Sequence, residues 1–436
     1  MTVAKVLLWG SWIGSVQMPD REGYATFEYS TEYLASRTEL APLEMPLGPG
    51  LFAFPELRRE SFYGLPGMLA DAIPDRFGTA LIDEWLTRKG IPARSFNAVD
   101  RLCYIGHRAM GALEFEPATG PQGRQSKPLN VADLVELASE VLTRRQSFSA
   151  SLSADQRGPA LQDLLLVGTS AGGARAKAVI AYNPTTNEVR SGQLAAPEGF
   201  EHWIIKFDGV SGNTDKDLGS PRGYGAVELA YSEMAKAAGI ATTESRLLEE
   251  GGRRHFMTRR FDRLGNRNKL HMQSLAALRH FDYNLAGAYS YEQALETIQL
   301  LELDGGVIQE QMRRMIFNVL ARNQDDHVKN IAFLMDRLGT WALSPAFDLT
   351  YAFNPRGDWT ASHQMSINGK RDRFTANDIY ACGRSANLSR PRVKGLVEQV
   401  ASAVERWLEY ADHAGVPEGT AVQIGRAHRR ISTTTE

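Results

Sequence analysis

Residues 320–336, LARNQDDHVKNIAFLMD, place a dense polar segment between an apolar helical pattern and an apolar strand-like run. Within it, positions 323–330 hold two adjacent acids, a histidine, a lysine and two asparagines. Polar groups at the end of a core helix must face water or find partners, because burying them unpaired costs free energy. The segment is therefore either a solvated helix end or a reactive site.

The spacing of residues in and after this segment favours phosphoryl transfer. Asp325 and Asn330 are five residues apart, as are the base aspartate and the metal-binding asparagine of the kinase loop H-R-D-x-x-x-x-N. Asp348, in the later segment LSPAFDLTYA, matches the metal-holding aspartate of D-F-G, although Leu349-Thr350 replaces Phe-Gly. Mg²⁺ prefers hard oxygen ligands of this kind.

Simpler interpretations of the same residues stay open at this point. Asp325 fits a solvated helix end, and His327 fits a capping histidine. Asp326 is predicted to be solvated, because its neighbour already fills the role of the base. A zinc site of Asp325, Asp326 and His327 is a weaker alternative, since no other histidine pair has ligand spacing.

A lysine inside an apolar strand adds a second element of the kinase pattern. Lys206 lies in HWIIKFDG, where its charge is costly unless it is paired. Glu228, in the helical segment that follows, is the candidate partner. A glycine-rich turn, a strand lysine and a helix glutamate occur in this order in the small lobe of protein kinases. Taken alone, a solvent-facing position for Lys206 is the simpler interpretation.

The glycine-rich segment LLLVGTSAGGARAKAVI (164–180) matches two other motifs incompletely. Residues 168–172 fit the G-x-S-x-G nucleophile elbow, which needs a strand before it and a helix after it. The sequence predicts a strand before the motif, but after it a hairpin is predicted where the elbow needs a helix. Ala174 stands where a Walker A motif requires lysine. What remains is a turn between antiparallel strands, either a plain hairpin or a phosphate-binding loop.

Composition excludes several classes of protein. A formal net charge of −2 gives no global attraction to nucleic acid or to anionic membranes. Two distant cysteines without a CxxC pattern argue against a disulfide scaffold and suit a reducing cytoplasm. No apolar run approaches the ~20 residues that span a bilayer, and the N-terminal run is predicted to form a hairpin instead of a signal peptide. We expect a cytoplasmic protein without a membrane partner.

The order of the predicted elements indicates an α+β protein with two lobes. At 436 residues the chain is long for one core, so two or three subdomains are expected. A strand-rich start and a helical segment precede a polar linker at 116–128. A helix at 130–145 and a block of short strands follow, and the chain after Arg263 is mostly helical. The strands of that block are predicted at 161–168, 176–183, 188–194, 202–209 and 253–263, around a helix at 224–239.

Taken together, the segments SAGGARAKA, HWIIKFDG, NQDDHVKNIAF and LSPAFDLTYA, with FYGLPGMLADAIPDRFG near the N-terminus, resemble the HipA family. Members of this family are serine/threonine kinase toxins of bacterial type II toxin–antitoxin systems, and the resemblance covers most of the chain. It implies a bilobal protein-kinase-like fold that uses ATP and Mg²⁺. The implied parts are a β-rich N-terminal subdomain (1–117), a small lobe with a sheet (129–262) and a mostly helical large lobe (263–436).

The resemblance also implies a role for each matching residue. Asp325 would be the catalytic aspartate, and Ser170 would be autophosphorylated, which switches the kinase off. His327 and Lys329 would orient the catalytic loop, and Asn330 and Asp348 would hold Mg²⁺. Lys206 with Glu228 would bind the ATP phosphates, and the nucleotide would be covered by Gly172, Gly173, Ala174, Arg175 and Lys177. The hinge beside adenine would consist of Arg259, Arg260 and Phe261.

The sequence departs from the family pattern at two points, and the resemblance also implies several partners for the protein. The nucleotide-covering loop lacks the glutamate of the frequent family pattern A-G-x-Q-E-K, and Arg259 replaces a frequent hinge glutamate. The resemblance implies a helix-turn-helix antitoxin like HipB, contact with DNA only through that antitoxin, and a protein substrate such as an aminoacyl-tRNA synthetase. The alternatives are a degenerate kinase fold that acts as a corepressor, a serine hydrolase and a small-molecule kinase.

Overall fold

A computed structural model describes residues 2–19, 23–74, 76–121, 127–143, 154–168, 175–194, 196–210, 222–265 and 268–432. The predicted site residues Ser170, Gly172, Gly173 and Ala174 lie outside these ranges. Across the described ranges, no helix has both the length and the apolar character needed to cross a membrane.

The N-terminal part is an antiparallel sheet covered by helices. Its strands follow the spatial order β4-β3-β2-β1-β5, so the last strand pairs with the first. Inward-facing residues of β1, such as Ala4 and Val6, are fully buried, as the alternation of a half-buried strand requires. The strands are β1 (Thr2–Leu8), β2 (Ser11–Met18), β3 (Thr26–Tyr29), β4 (Leu51–Ala53) and β5 (Leu113–Glu116), and the helices are α1 (Thr31–Leu34), α2 (Arg59–Phe62), α3 (Gly67–Ala70), α4 (Arg76–Lys89) and α5 (Ala98–Ile105).

The second part is built on another antiparallel sheet, with the order β7-β6-β8-β10-β9. One helix connects two strands of this sheet, as in the small lobe of a kinase. Two further helices precede the first strand of the sheet. Its elements are α6 (Val131–Thr143), α7 (Ala154–Val167), β6 (Lys177–Tyr182), β7 (Val189–Ser191), β8 (Glu201–Lys206), α8 (Tyr224–Ala237), β9 (Ser245–Glu250) and β10 (Arg253–Arg259).

The prediction of a strand at 161–168 is wrong, because these residues end helix α7. Leu164 and Leu165 pack in one core with Phe77 and Leu81 of α4. A short run of apolar residues fits a buried strand and a buried helix equally well, and the tertiary contact decides between them. The G-x-S-x-G segment therefore has a helix before it where a nucleophile elbow needs a strand.

The third part is mostly helical around one large core. Helix α8 packs into this core through Tyr231 and Met234, so an element of the small-lobe sequence is fixed to the large lobe. The predicted α+β fold is confirmed. The elements are β11 (Arg263–Leu264), β12 (Asn268–Lys269), β13 (His271–Ser274), α9 (Leu275–Leu278), α10 (Tyr291–Leu300), α11 (Gly305–Leu320), β14 (Ala332–Met335), β15 (Trp341–Leu343), α12 (Ala376–Ser385), α13 (Arg390–Glu405), α14 (Trp407–His413) and α15 (Glu418–Ala427).

A buried carboxylate joins the N-terminal part to the chain that connects the two lobes. Asp262 is fully buried and accepts hydrogen bonds from Arg260 and Arg263, with the shortest N···O distances at 2.7 Å. It also accepts a bond of 2.7 Å from the backbone N–H of Gly111. Burial alone would raise the pKa of Asp262, but the two guanidinium groups hold this pKa well below its usual range. The carboxylate is therefore charged and fully paired.

Replacing Asp262 by asparagine should destabilise the protein strongly. D262N leaves two buried guanidinium groups short of negative charge, and breaking a buried ion pair in this way costs about 3–5 kcal/mol of unfolding free energy. Urea unfolding measures the change. E409Q removes one partner of the exposed Arg406–Glu409 pair and serves as the control, with no shift of the midpoint expected. Equal shifts for both variants would contradict the assignment.

Candidate active site

A cleft of about 1090 Å³ lies between the N-terminal part and the two lobes. Its volume lies just above the range of about 300–1,000 Å³ that is usual for ligand sites. Every predicted site residue within the described ranges lines this cleft. These residues are Arg175, Lys177, Lys206, Glu228, Arg259, Arg260, Phe261, Asp325, His327, Lys329, Asn330 and Asp348.

The centre of the cleft is a group of paired charges around Lys206. The Nζ atom of Lys206 donates hydrogen bonds to the carboxylates of Glu228 and Asp348. Burial alone would lower the pKa of Lys206, but the two carboxylates, Asp348 first, raise this pKa above its ordinary value. Burial likewise would raise the pKa of Asp348, whereas Lys206 and then Lys177 bring it down to about 2. Lys206 and Asp348 are therefore both charged at neutral pH.

Lys177 and Lys206 lie directly opposite each other on strands β6 and β8. Opposed residues of an antiparallel pair point to the same face, and two like charges placed so repel each other unless anions offset them. Glu228 and Asp348 supply part of this negative charge. The arrangement brings two ammonium groups and two carboxylates together at the cleft.

Local backbone geometry holds the two carboxylates in place. Helix α8 starts after Gly223, which has a φ of +92° and donates its N–H to the Asp208 carboxylate at 2.9 Å. Glu228 lies one turn into this helix and is buried. Asp348 has a φ of +52°, a left-handed conformation that is rare for a residue other than glycine. Strain of this kind is often found at functional sites.

The segment after helix α11 forms the opposite wall. The Nδ2 atom of Asn330 donates to the backbone oxygen of Asp325 at 2.8 Å, which fixes the direction of the amide. This donor role leaves the Oδ1 atom of Asn330 as the acceptor end of the side chain. Residues Val328–Asn330 form a single 3₁₀ turn. The spacing of five residues therefore brings Asp325 and Asn330 to one point of the cleft.

His327 and Lys329 lie beside Asp325 and Asn330 and contact different neighbours. The ammonium group of Lys329 lies 4.7 Å from the centre of the Tyr283 ring, a cation–π distance. The Nε2 atom of His327 is 3.8 Å from the Oδ1 atom of Asp325. Both side chains thus lie next to the loop or to its surroundings.

The predicted hinge residues differ in how their side chains are engaged. Arg260 is buried and its guanidinium is bound to Asp262, whereas Arg259 is exposed and pairs with Glu201 at 3.1 Å. Phe261 contacts Phe347 across the cleft, with ring centres 5.7 Å apart. Of the three residues, Phe261 therefore offers an apolar ring to a planar ligand. Arg175 also lines the cleft, and its guanidinium carbon lies 3.8 Å from the centre of the Tyr224 ring.

The prediction that Asp326 is solvated is wrong. Its side chain is fully buried, and its carboxylate accepts hydrogen bonds from the Tyr291 hydroxyl, the His363 ring and the Gln364 backbone, each at 2.7 Å. Burial alone would raise the pKa of Asp326, but His363 first, and then Tyr291 and Gln364, lower this pKa. These donors lie far along the chain, so the local sequence carries no signal for them.

Other residues of the cleft also escape the sequence patterns. The indole Nε1 atom of Trp359 donates to the Oδ1 atom of Asp325 at 2.6 Å. The N-terminal part contributes Tyr63, Ile73 and Arg76 to the lining. A tryptophan in a turn-rich segment and scattered residues of a distant domain match no catalytic motif, so only the fold identifies them.

The residues at the cleft fit a hard metal ion better than zinc. Asp348 and Asn330 offer a carboxylate and an amide oxygen, the kind of ligands that Mg²⁺ takes together with phosphate oxygens. Zinc sites use three or four His, Cys, Asp or Glu side chains. Over the ranges that the structure describes, no three such side chains come together as a metal cluster.

Comparisons with known proteins agree with this geometry. "Putative kinase Y4mE" of Sinorhizobium fredii (strain NBRC 101917 / NGR234) is 26% identical over 467 residues, covering 98% of each chain. The solved structure of HipA from the toxin–antitoxin system of Shewanella oneidensis MR-1, in complex with HipB and operator DNA, superposes with a TM-score of 0.68. It is 16% identical, and the match covers 97% of this chain and 94% of that one, which establishes a common fold.

Family models cover both halves of the sequence. The HipA N-terminal domain matches residues 4–116, and the HipA-like C-terminal domain matches residues 169–408. The second match alone spans more than half of the 436 residues. The paired charges, the Asp325–Asn330 spacing and these matches together lead to one conclusion: the protein belongs to the HipA family.

Proposed function

We propose that this protein is an ATP- and Mg²⁺-dependent serine/threonine protein kinase of the HipA toxin type. The observation that carries the proposal is one cleft that Asp325 and Asn330 line together with Lys206, Glu228 and Asp348. Phosphoryl transfer needs a base for the acceptor hydroxyl, cations for the phosphates and oxygen ligands for a metal, and these residues supply all three. The relative whose name is "Putative kinase Y4mE" supports the same activity.

In the proposed reaction, Asp325 accepts the proton of a serine or threonine hydroxyl while the hydroxyl oxygen attacks the γ-phosphorus of ATP. The bond between the γ-phosphorus and its bridging oxygen breaks, and ADP leaves. Lys206 and Lys177 offset the phosphate charge from the sheet face. Mg²⁺, when held by Asn330 and Asp348, supplies further neutralisation of the phosphate oxygens.

The remaining site residues receive supporting roles. We assign His327 and Lys329 to the orientation of the loop that carries Asp325. The Gly172–Lys177 turn would cover the nucleotide, and residues 259–261 would lie beside adenine, with Phe261 as the apolar contact. Since the Arg260 side chain is bound to Asp262, the hinge would contact the nucleotide through its backbone and through Phe261.

The partners follow from the family. We infer a helix-turn-helix antitoxin like HipB, because the Shewanella structure contains HipA with HipB and operator DNA. Contact with DNA would be indirect, in line with a net charge of −2. The substrate would be a cytoplasmic protein related to translation, such as an aminoacyl-tRNA synthetase. Both cysteines are buried and free, as a reducing compartment allows.

Neutralising Asp325 tests the chemical step. D325N should lower the rate of phosphate transfer from radioactive ATP, to the chain itself and to proteins of a cell extract, by roughly 10²–10⁴, because general-base catalysis is lost. D412N, an exposed change outside the cleft, should keep the wild-type rate. If D325N transfers phosphate as fast as the wild type, the assignment of the base is wrong.

Removing the charge of Lys206 tests nucleotide binding. K206M should weaken Mg-ATP binding about tenfold or more, because a charge-assisted hydrogen bond contributes about 1.5–3 kcal/mol. Calorimetry gives the dissociation constant, and K370M, which removes a lysine bound to Asp378, is the control with unchanged affinity. A wild-type protein that does not bind Mg-ATP would favour the alternative, a degenerate kinase fold that serves as a corepressor with its antitoxin.

Autophosphorylation of Ser170 would switch the kinase off. A phosphate there adds about −1.5 to −2 charges beside the loop that receives the ATP phosphates, so it should oppose ATP binding. Peptide mapping after incubation with Mg-ATP should find the phosphate on Ser170, and S170A should stay active for longer. Phosphate at other positions only would remove this regulatory role.

A further inference from the structure

The 359–364 segment contacts three consecutive residues of the loop that carries Asp325, namely residues 324–326. Gln324 donates from its side chain to the backbone oxygen of Thr360 at 3.0 Å. Asp325 accepts the indole N–H of Trp359 at 2.6 Å. Asp326 accepts from His363 and from the backbone of Gln364, both at 2.7 Å. One short segment therefore fixes the loop along its reactive part.

The contact at Asp325 acts on the side chain. The indole ring of Trp359 is partly buried, so the N–H has a fixed direction. A hydrogen bond of 2.6 Å from this donor to the Oδ1 atom restricts the rotation of the carboxylate. A general base must stand within about 2.6–3.2 Å of the proton that it accepts, so a fixed rotamer bears directly on its efficiency.

The contacts at Asp326 act on the backbone. Its carboxylate is fully buried and receives three donors, from helix α10 through Tyr291 and from the 359–364 segment through His363 and Gln364. A carboxylate is acceptor-only, so the Nδ1 atom of His363 carries the proton in this bond. His363 is itself held against Phe374, with ring centres 5.3 Å apart. Residue 326 is thereby anchored, and the next residue back along the chain is Asp325.

We propose that Trp359 and Asp326 are positioning residues for the catalytic base, Trp359 by holding its carboxylate and Asp326 by holding its backbone. This inference rests on the proposed function, in which Asp325 is the base. A displacement of about 1 Å in a reacting group can cost a factor of about 10² in rate. Neither residue contacts Lys206, Glu228 or Asp348 in the described hydrogen bonds and ion pairs, so the effect of replacing them should fall mainly on kcat.

Steady-state kinetics separate this role from a general loss of structure. ADP release is followed with dephosphorylated β-casein as the acceptor, at varied concentrations of Mg-ATP. W359F keeps an aromatic ring but removes the N–H, and it should lower kcat about 10- to 100-fold while the KM for ATP stays within about twofold. W359H restores a ring N–H and should regain part of kcat. W341F removes the indole N–H that donates to Glu39 outside the cleft, and it should behave as the wild type.

The role of Asp326 in holding the backbone of Asp325 is tested with separate variants. D326N should lower kcat by a similar factor with an unchanged calorimetric Mg-ATP affinity. Y291F removes a single donor to Asp326, and it should give a smaller loss of kcat in a protein that still folds. A wild-type kcat in W359F overturns the role of Trp359, and a wild-type kcat in folded Y291F or D326N overturns that of Asp326. Loss of Mg-ATP affinity in these variants would also overturn the proposal.

The failure of the proposed function has a different signature. If D325N keeps the wild-type kcat, or if the wild-type protein releases no ADP with casein or with the proteins of a cell extract, the kinase assignment itself fails. If D325N is inactive while W359F and Y291F both match the wild type, the kinase assignment stands and only the positioning roles are removed.

Discussion

The charge balance around Lys206 is the constraint on which the rest of the site depends. Its ammonium group bridges Glu228 of helix α8 and Asp348 of the large lobe. Since α8 also packs into the core of the large lobe, the small-lobe sheet is tied to that lobe by an ion pair and by apolar contacts at once. Removal of either carboxylate would leave Lys177 and Lys206 opposed without enough negative charge. The same charge balance that holds the lobes together therefore keeps both ammonium groups at the cleft.

The N-terminal part is a structural component of the cleft. Asp71 accepts hydrogen bonds from the backbone and the hydroxyl of Ser274 at 2.6 and 2.8 Å, and Gly111 is bound to Asp262 next to the hinge. These contacts join a domain that carries none of the predicted catalytic residues to both ends of the chain segment between the lobes. Because Tyr63, Ile73 and Arg76 line the cleft, this domain shapes the space inside it.

The fold class could be predicted from the sequence, and so could many residues that line the cleft, where chemistry and local spacing coincide. Lys206 in an apolar strand demanded a partner, and Glu228 was the nearest candidate in the following helix. The strand predicted at 161–168 failed because an apolar run of that length has no periodicity of its own, and its packing against α4 makes it a helix. Trp359 could not be predicted, since its role depends on a contact between residues 34 positions apart. The predicted domain boundaries at 117 and 262 stay predictions.

The two adjacent acids show how far local sequence can specify a site. Asp325 and Asp326 have the same chemistry and are adjacent in the chain, yet one lines the cleft and the other is buried. The donors to Asp326 come from residues 35, 37 and 38 positions away, so its environment is a property of the fold. An unpaired carboxylate could not be buried there, because the desolvation cost would not be offset. The burial of Asp326 is thus possible only when α10 and the 359–364 segment have both docked, and only then is the backbone of Asp325 fixed. Asp325 is in place only in the folded protein, because its neighbour Asp326 needs the fold to supply its partners.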